Sequence, residues 1–264
     1  MKNGIGVIDL SWWQLGLALV LVLVVVVVSL RQRLGLERDL LIGAVRTVAQ
    51  LYLVGLVLAA IFSAARWYWV LLILVVMAAI ASHAAISRLK KPIPGGIGIT
   101  ATALTLSTAV TLAYVIGVVV QPRPWWEPQY LIPIAGMILG NSMTSAALAG
   151  DRLQSDLLAR QGEIEARLSL GFSGREAVQP LVRAALQASM IPTVNGMMTV
   201  GLVQLPGMMT GQILAGASPL TAIRYQIVVV FMLAVATSLG SLVFVRLAVG
   251  RYLTSAHQLR RYLL

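Results

Sequence analysis

The chain has 264 residues, of which 59% are hydrophobic and only 11% charged, with a mean hydropathy of +0.88. Soluble domains carry about 25% charged residues, so this composition excludes an ordinary soluble protein and points to an integral membrane protein. The net charge of +11 does not mark a nucleic-acid binder, because the basic residues sit in short loops between apolar runs; the lack of cysteine excludes disulfides and zinc–sulfur sites.

A bilayer-spanning helix needs about 20 predominantly apolar residues. Seven segments are predicted as spans: Trp12–Leu30, Leu40–Phe62, Trp67–Ser87, Ile97–Val120, Tyr130–Leu148, Ile191–Ala215 and Ala222–Val245. The first contains a nearly pure valine run, Val22 to Val28, which can be helical because lipid offers the backbone no other partner. It reads as an anchor, with no small-residue cleavage site after it. Trp12, Trp13, Trp67, Trp69, Trp125 and Trp126 lie near predicted ends, as an interfacial aromatic belt requires.

Lysine and arginine set the expected orientation. With the N-terminus outside, the inside holds Arg31, Arg33, Arg38, Arg88, Lys90, Lys91, Arg152, Arg160, Arg167, Arg175, Arg183, Arg246, Arg251, Arg260 and Arg261. The outside holds only Lys2, Arg66, Arg123 and Arg224. The expected fold is therefore an all-α polytopic membrane protein of about seven transmembrane helices, N-terminus outside and C-terminus cytoplasmic, forming a single transmembrane domain over residues 1–264.

One connection differs from the rest. Residues 149–188 form a long, charged, expectedly cytoplasmic segment in which Leu153, Leu157, Leu158, Ile164, Leu168, Val178, Leu181 and Leu186 recur at helical spacing. Long loops in compact proteins are usually functional, although an amphipathic helix lying on lipid headgroups would have the same pattern.

Catalytic chemistry is sparse. Asp9, Glu37, Asp39, Glu127, Asp151, Asp156, Glu163, Glu165 and Glu176 all fall in loops or at membrane ends, whereas an intramembrane protease or proton-coupled carrier places carboxylates or histidines at depth. His83 and His257 are unpaired in sequence, and His83 is read as a packed or snorkelling residue. No lysine follows the spacing of a phosphate-binding P-loop, so the chain is not expected to bind ATP by a P-loop of its own, and energy for any transport would come from a partner.

Within the long connection, Glu165-Ala166-Arg167-Leu168-Ser169-Leu170-Gly171 resembles the EAA-xxx-G signature of ABC importer permeases, in which a short cytoplasmic helix docks on the ATPase. The local physics agrees. Glu163 and Arg167 are spaced as a favourable ion pair, Gly171 can supply a left-handed turn, and Ser173 with Glu176 forms a capping box for a second helix, with Arg175 in its first turn.

The wider chain resembles the FetB-like family through RTVAQLYLVG (46–55), PIAGMILGNSMTSAALAGDRL (133–153), IPTVNGMMTVGLVQLPGMMTGQILAG (191–216) and AIRYQI (222–227). Members are bacterial ABC permeases associated with iron export, and a plant relative acts in aluminium tolerance. The resemblance implies a plasma-membrane permease homodimer working with a separate ATPase subunit, with no cofactor of its own. It implies iron or another metal as substrate; a non-metal organic solute remains the alternative.

Polar residues inside the spans are the candidate translocation path. Pro206 and Gly207 are expected to break the sixth span near Gln204–Gly207. Asn195 and Thr199 share a face of the first half, and Met208 and Gln212 a face of the second. In the fifth span Met137, Asn141 and Thr144 share a stripe, and Gly136 and Gly140 form a close-packing GxxxG pattern. Arg46 and Gln50 share a face of the second span, where Arg46 could equally snorkel or bond in the interior. Seven of the ten methionines lie between residues 137 and 209, better read as pliable packing than as soft-metal ligands. A partner-independent channel or carrier would have no need of residues 149–188 as a dock. A scaffold subunit would have no need of aligned polar residues in its spans.

Overall fold

Six of the seven predicted apolar runs fold within long helices, and the run 191–215 is divided. The computed structural model describes residues 11–64, 66–89, 93–254 and 258–260; the readings made for Lys2, Asp9, Lys90, Lys91, His257 and Arg261 lie outside the described residues. In chain order the helices are α1 (Trp12–Gln32), α2 (Glu37–Ala64), α3 (Trp67–Ile86), α4 (Gly96–Tyr114, continued by a π-helical turn Val115–Val120), α5 (Pro128–Ala159), α6 (Gln161–Ser169), α7 (Gly174–Thr199), α8 (Gly207–Leu214) and α9 (Pro219–Tyr252). Six of them, α1 to α5 and α9, are long and apolar enough to cross a membrane. The segment expected as the sixth of seven spans is divided between the end of α7 and α8, two pieces as its expected break implies.

The chain divides into two compact units. The first contains α1, α2 and Gln212–Ala217. Here Ser11 caps α1 in a reciprocal box with Gln14, and Arg33 closes the helix in the left-handed region at φ 53°. The turn into α2 is fastened by Ser29, whose Oγ donates to Glu37 at 2.9 Å and accepts from the Leu36 amide at 3.3 Å.

The second unit contains α3 to α7 and α9, with α5 at its centre. Pro128 starts α5 and Pro219 starts α9, positions where the missing proline N–H costs nothing. Both helices outrun a bilayer. At 1.5 Å per residue they are about 48 and 51 Å long against a hydrocarbon core of about 30 Å. Residues 149–159, expected as the start of a loop, therefore continue α5, and residues 174–188 already belong to α7. The expected long loop is two helical extensions joined through α6.

Small residues hold the centre together. Gly240 of α9 approaches so closely that a Cβ there would lie 3.3 Å from both Ser107 Oγ and Ser142 Cβ. One turn along, Ser145 and Ser241 hydroxyls bond at 2.6 Å, and Ser145 also donates to the Ser189 carbonyl of α7 at 3.1 Å. Gly150 sits where a Cβ would be 2.7 Å from Leu89 and 2.9 Å from the buried Phe244 ring. Nearer the α6 end, a larger cluster closes the bundle, including Leu153, Leu157, Val178, Phe244 and Tyr252, and Gln154 donates to the Tyr252 hydroxyl at 2.8 Å. The two GxxxG glycines differ: a Cβ on Gly136 would meet Met77 of α3 at 3.1 Å, whereas Gly140 has nothing within 4 Å.

These approaches predict a contrast. Gly240→Val should destabilise the purified protein by about 1–3 kcal/mol through overpacking, read as a lowered thermal unfolding midpoint in detergent. Gly140→Val should leave that midpoint within about 0.5 kcal/mol, the usual range for changes away from packed sites.

Candidate functional site: a polar cleft and a charged connecting helix

Two regions of the second unit carry the candidate function. The first is a cleft of about 300 Å³ between α5, the end of α7, the loop that follows it and α9. The loop exists because α7 stops at Thr199: the amides of Leu202 and Val203 fold back to donate to the Thr199 carbonyl, and the Gly201 amide donates to the Gln204 carbonyl at 2.9 Å. Gly201 takes φ 84°, a left-handed conformation open to glycine without strain. The expected interruption is thus present but begins earlier, at Val200, and its special residue is Gly201. Pro206 ends the loop, while Gly207 is simply the first residue of α8. The carbonyl of Pro206 accepts from the Thr210 amide at 3.0 Å, starting the new helix.

Asn141, Thr193, Gln204 and Gln226 give the cleft its polar lining, beside Gly196, Met197 and Pro206. Asn141 Nδ2 donates to the Met137 carbonyl of its own helix at 2.8 Å, which fixes the amide and leaves Oδ1 open. Gln226 was not singled out from sequence, yet it is the most telling member. It is 8% exposed, and its Oε1 is buried without a hydrogen-bond partner among the described residues. It also lines an adjoining, mostly apolar groove of about 480 Å³ with Val200, Leu205, Pro206 and Met209. An unpaired buried acceptor costs about 1–3 kcal/mol, so its retention at a cleft wall suits a group that meets a donor brought from outside.

Several expected path residues are placed differently. Asn195 and Thr199 do share a face, with Thr199 Oγ1 donating to the Asn195 carbonyl at 2.9 Å, but both are exposed and outside the cleft lining. The helix presents Thr193, Gly196 and Val200 to the cleft instead, a rotation of its face that follows from packing against α5 and α9. Thr144 is exposed one turn beyond Asn141 and bonds back to the Gly140 carbonyl at 3.0 Å. Met208 and Gln212 are half-buried one turn apart on α8, but Met209, not Met208, reaches the adjoining groove. Arg46 and Gln50 are exposed one turn apart on α2, in the first unit. No group of three or more His, Cys, Asp or Glu side chains able to hold a metal occurs among the described residues.

The second region is α6. Its Glu163 and Arg167 pair at 2.8 Å, as their spacing predicts, and Arg160 approaches Glu163 at 3.8 Å. Gly171 takes φ 90°. The Phe172 amide donates to the Arg167 carbonyl and the Gly171 amide to the Leu168 carbonyl, the two bonds of a Schellman cap. Ser173 then caps α7 reciprocally with Glu176, beside the exposed Arg175. One face of α6 is anchored: Ile164 is fully buried in the cluster formed with α5, α7 and α9. The other face presents Glu163 and Ala166, with Glu165 and Arg167 half-exposed. At the tip, Leu170 and Phe172 expose apolar side chains, 77% and 50% accessible, which sequence pattern alone had not marked.

The molecule is thus an all-α, multi-pass membrane protein with a helix interrupted beside a polar cleft and a rigid charged helix joining two of its long helices. The chain belongs to the uncharacterised protein family UPF0014, whose model matches residues 12–253. It is 42% identical over 257 residues to the UPF0014 membrane protein slr1647 of Synechocystis, covering 96% of this chain and 98% of that one. It is 38% identical over 245 residues to the probable iron export permease protein FetB of Escherichia coli, covering 93% of each. It is also 38% identical over 231 residues to the UPF0014 membrane protein STAR2 of rice, covering 88% of this chain and 80% of that one. No solved structure matches.

Replacing Gln226 separates a cleft role from a structural one. Gln226→Leu removes an acceptor that bonds nothing among the described residues, so the unfolding midpoint should hold or rise. Ser145→Ala, which removes two buried hydrogen bonds, should lower stability by about 1–2 kcal/mol in the same thermal assay.

Proposed function

We propose that the chain is the transmembrane permease subunit of an ABC transporter, working as two copies with separate ATPase subunits in the plasma membrane. The observation that carries this reading is the attachment of α6: Ile164 locks its inner face into the bundle core while its outer face and tip stay exposed. A short helix held in this way cannot tilt without moving α5 and α7, which makes it a lever for a partner that changes shape. Within residues 149–188, α6 and the turns on either side of it are then the cytoplasmic coupling part, while α7 from Gln179 onward runs into the membrane. Glu163, Glu165, Ala166, Arg167, Gly171, Arg175 and Glu176 form or brace the docking face, and Leu170 and Phe172 supply its apolar tip.

Asn141, Gln204 and Gln226 line the path in this reading. Asn141 and Thr144 lie exposed on a helix long enough to span the bilayer, and Gly140 beside them is open. Polar groups facing lipid are costly, so a second copy covering this face, or water within it, accounts for them. Asn195 and Thr199, exposed beside the cleft, extend the same polar surface. The name of the Escherichia coli relative supports iron, or another metal, as the exported substrate. The cleft offers amides, a hydroxyl and a thioether among the described residues, a lining that suits a cargo held by hydrogen bonds, such as a metal complex. ATP is bound and hydrolysed by the partner, and this chain is not itself an enzyme.

The decisive experiment is co-purification with the cognate ATPase and assay of its activity in liposomes. Gly171→Val places a β-branched residue at φ 90° and should cut permease-dependent stimulation at least fivefold at equal membrane levels, since the left-handed region costs such residues at least about 1–2 kcal/mol. Undiminished stimulation would remove α6 from the coupling role. In whole cells, Leu170→Cys in this cysteine-free chain should resist membrane-impermeant thiol reagents until the membrane is opened. Labelling from outside would invert the topology.

A further inference from the structure

The face shared by α7 and α9 near the α6 end carries a groove unrelated to the polar cleft. Its volume is about 410 Å³, and it is lined by Arg175, Arg183 and Arg246 over a floor that includes Val182, Leu186 and Leu242. No carboxylate contributes to it. All three arginines are exposed, and none forms an ion pair or hydrogen bond among the described residues. Glu176, next to Arg175 in the chain, is held in the Ser173 cap.

The groove is graded along its length. The two helices run in opposite directions through it, α7 leading inward from Arg175 to Leu186 and α9 outward from Leu242 to Val249. Arg175 and Val249 therefore stand at the outer end, Arg183 and Arg246 in the middle, and Leu186 with Leu242 at the inner end. Arg246 precedes the end of α9 by six residues, about 9 Å, which suits the headgroup layer of a helix that outruns the hydrocarbon core.

We propose that this groove binds one anionic phospholipid, the phosphate between Arg183 and Arg246 and the acyl chains running inward over Val182, Leu186 and Leu242. Charge complementarity selects the headgroup: three uncompensated guanidiniums favour a phosphate with a net negative charge over a zwitterionic one. The polar-to-apolar gradient selects a lipid over an acidic protein segment, because a protein docked from the aqueous side would meet its charges at the outer end and gain nothing from the inward apolar floor. The inference requires membrane embedding but not the transport reading.

The test is native mass spectrometry of the purified chain titrated with phosphatidylglycerol or phosphatidylcholine of the same acyl composition. The parent should bind one phosphatidylglycerol per chain, with a preference over phosphatidylcholine on the order of 10- to 30-fold, as expected for about two basic contacts. Arg183→Gln with Arg246→Gln should abolish the preference, and Arg183→Lys with Arg246→Lys should keep most of it. Arg31→Gln with Arg38→Gln, an equal loss of charge in the first unit, should leave it unchanged. Equal binding of the two lipids by the parent, or an equal loss in the Arg31 and Arg38 variant, would overturn the site. So would cross-linking of Gln179→Cys in this groove to a second copy or to an ATPase subunit in native membranes.

Discussion

The close crossing of α5 and α9 is the constraint on which the second unit depends. Lipid tails are as apolar as leucine, so membrane helices gain little from burying hydrophobic surface against one another and associate through packing and hydrogen bonds. Gly240 lets the two backbones approach, with the serine side chains of α4 and α5 filling the space a side chain would take. The Ser145–Ser241 bond fixes the register of the crossing, and the bond from Ser145 to the Ser189 carbonyl brings α7 into it. Both the cleft and the α6 core cluster are built on helices held at that point.

That crossing also relates the two candidate regions. The cleft lies on one side of it along α5, α7 and α9, and the cluster containing Ile164 lies on the other. α7 runs without a gap from the Ser173 cap to Thr199, about 39 Å at helical rise, so one element reaches from the charged connection to the wall of the cleft. Pro180 and Pro192 each remove a backbone donor along its course. A helix of this length, softened at two points and released into a loop by Gly201, can pass displacement between its ends while its middle stays packed.

The cleft combines features that membrane proteins otherwise avoid. A buried glutamine acceptor has no partner among the described residues, an asparagine has only its amide nitrogen engaged, by its own helix, and an irregular loop lies beside them. Such groups persist at membrane depth where they line a cavity or meet a ligand. The groove between α7 and α9 has the opposite character: its charges lie toward the expected membrane surface and its inner end is apolar. The two concavities therefore suit different molecules, one hydrogen-bonding and one amphipathic.

Much of this was legible in the residues themselves. Composition determined the membrane class, because no soluble core accommodates so little charge. The Glu163–Arg167 pair, the Gly171 turn and the Ser173–Glu176 box were readable because each is set by neighbours within four residues; an interruption near Pro206 was readable from the proline, but not its start at Val200 or the Gly201 turn. What the sequence could not decide was which face of each helix points where. In a soluble helix the polar side marks solvent, but in a bundle surrounded by lipid both the core and the outside are apolar, and the pattern loses its compass. Tertiary packing alone turned Thr193 and Gly196 toward the cleft instead of Asn195, brought Gln226 from a helix twenty residues beyond Pro206 to its wall, and placed Arg183 opposite Arg246. The extension of α5 and α7 past the expected membrane boundary was hidden for a related reason: charged residues end a hydrophobic run but not a helix, and only burial of Leu153, Leu157 and Val178 against one another shows that the helices continue.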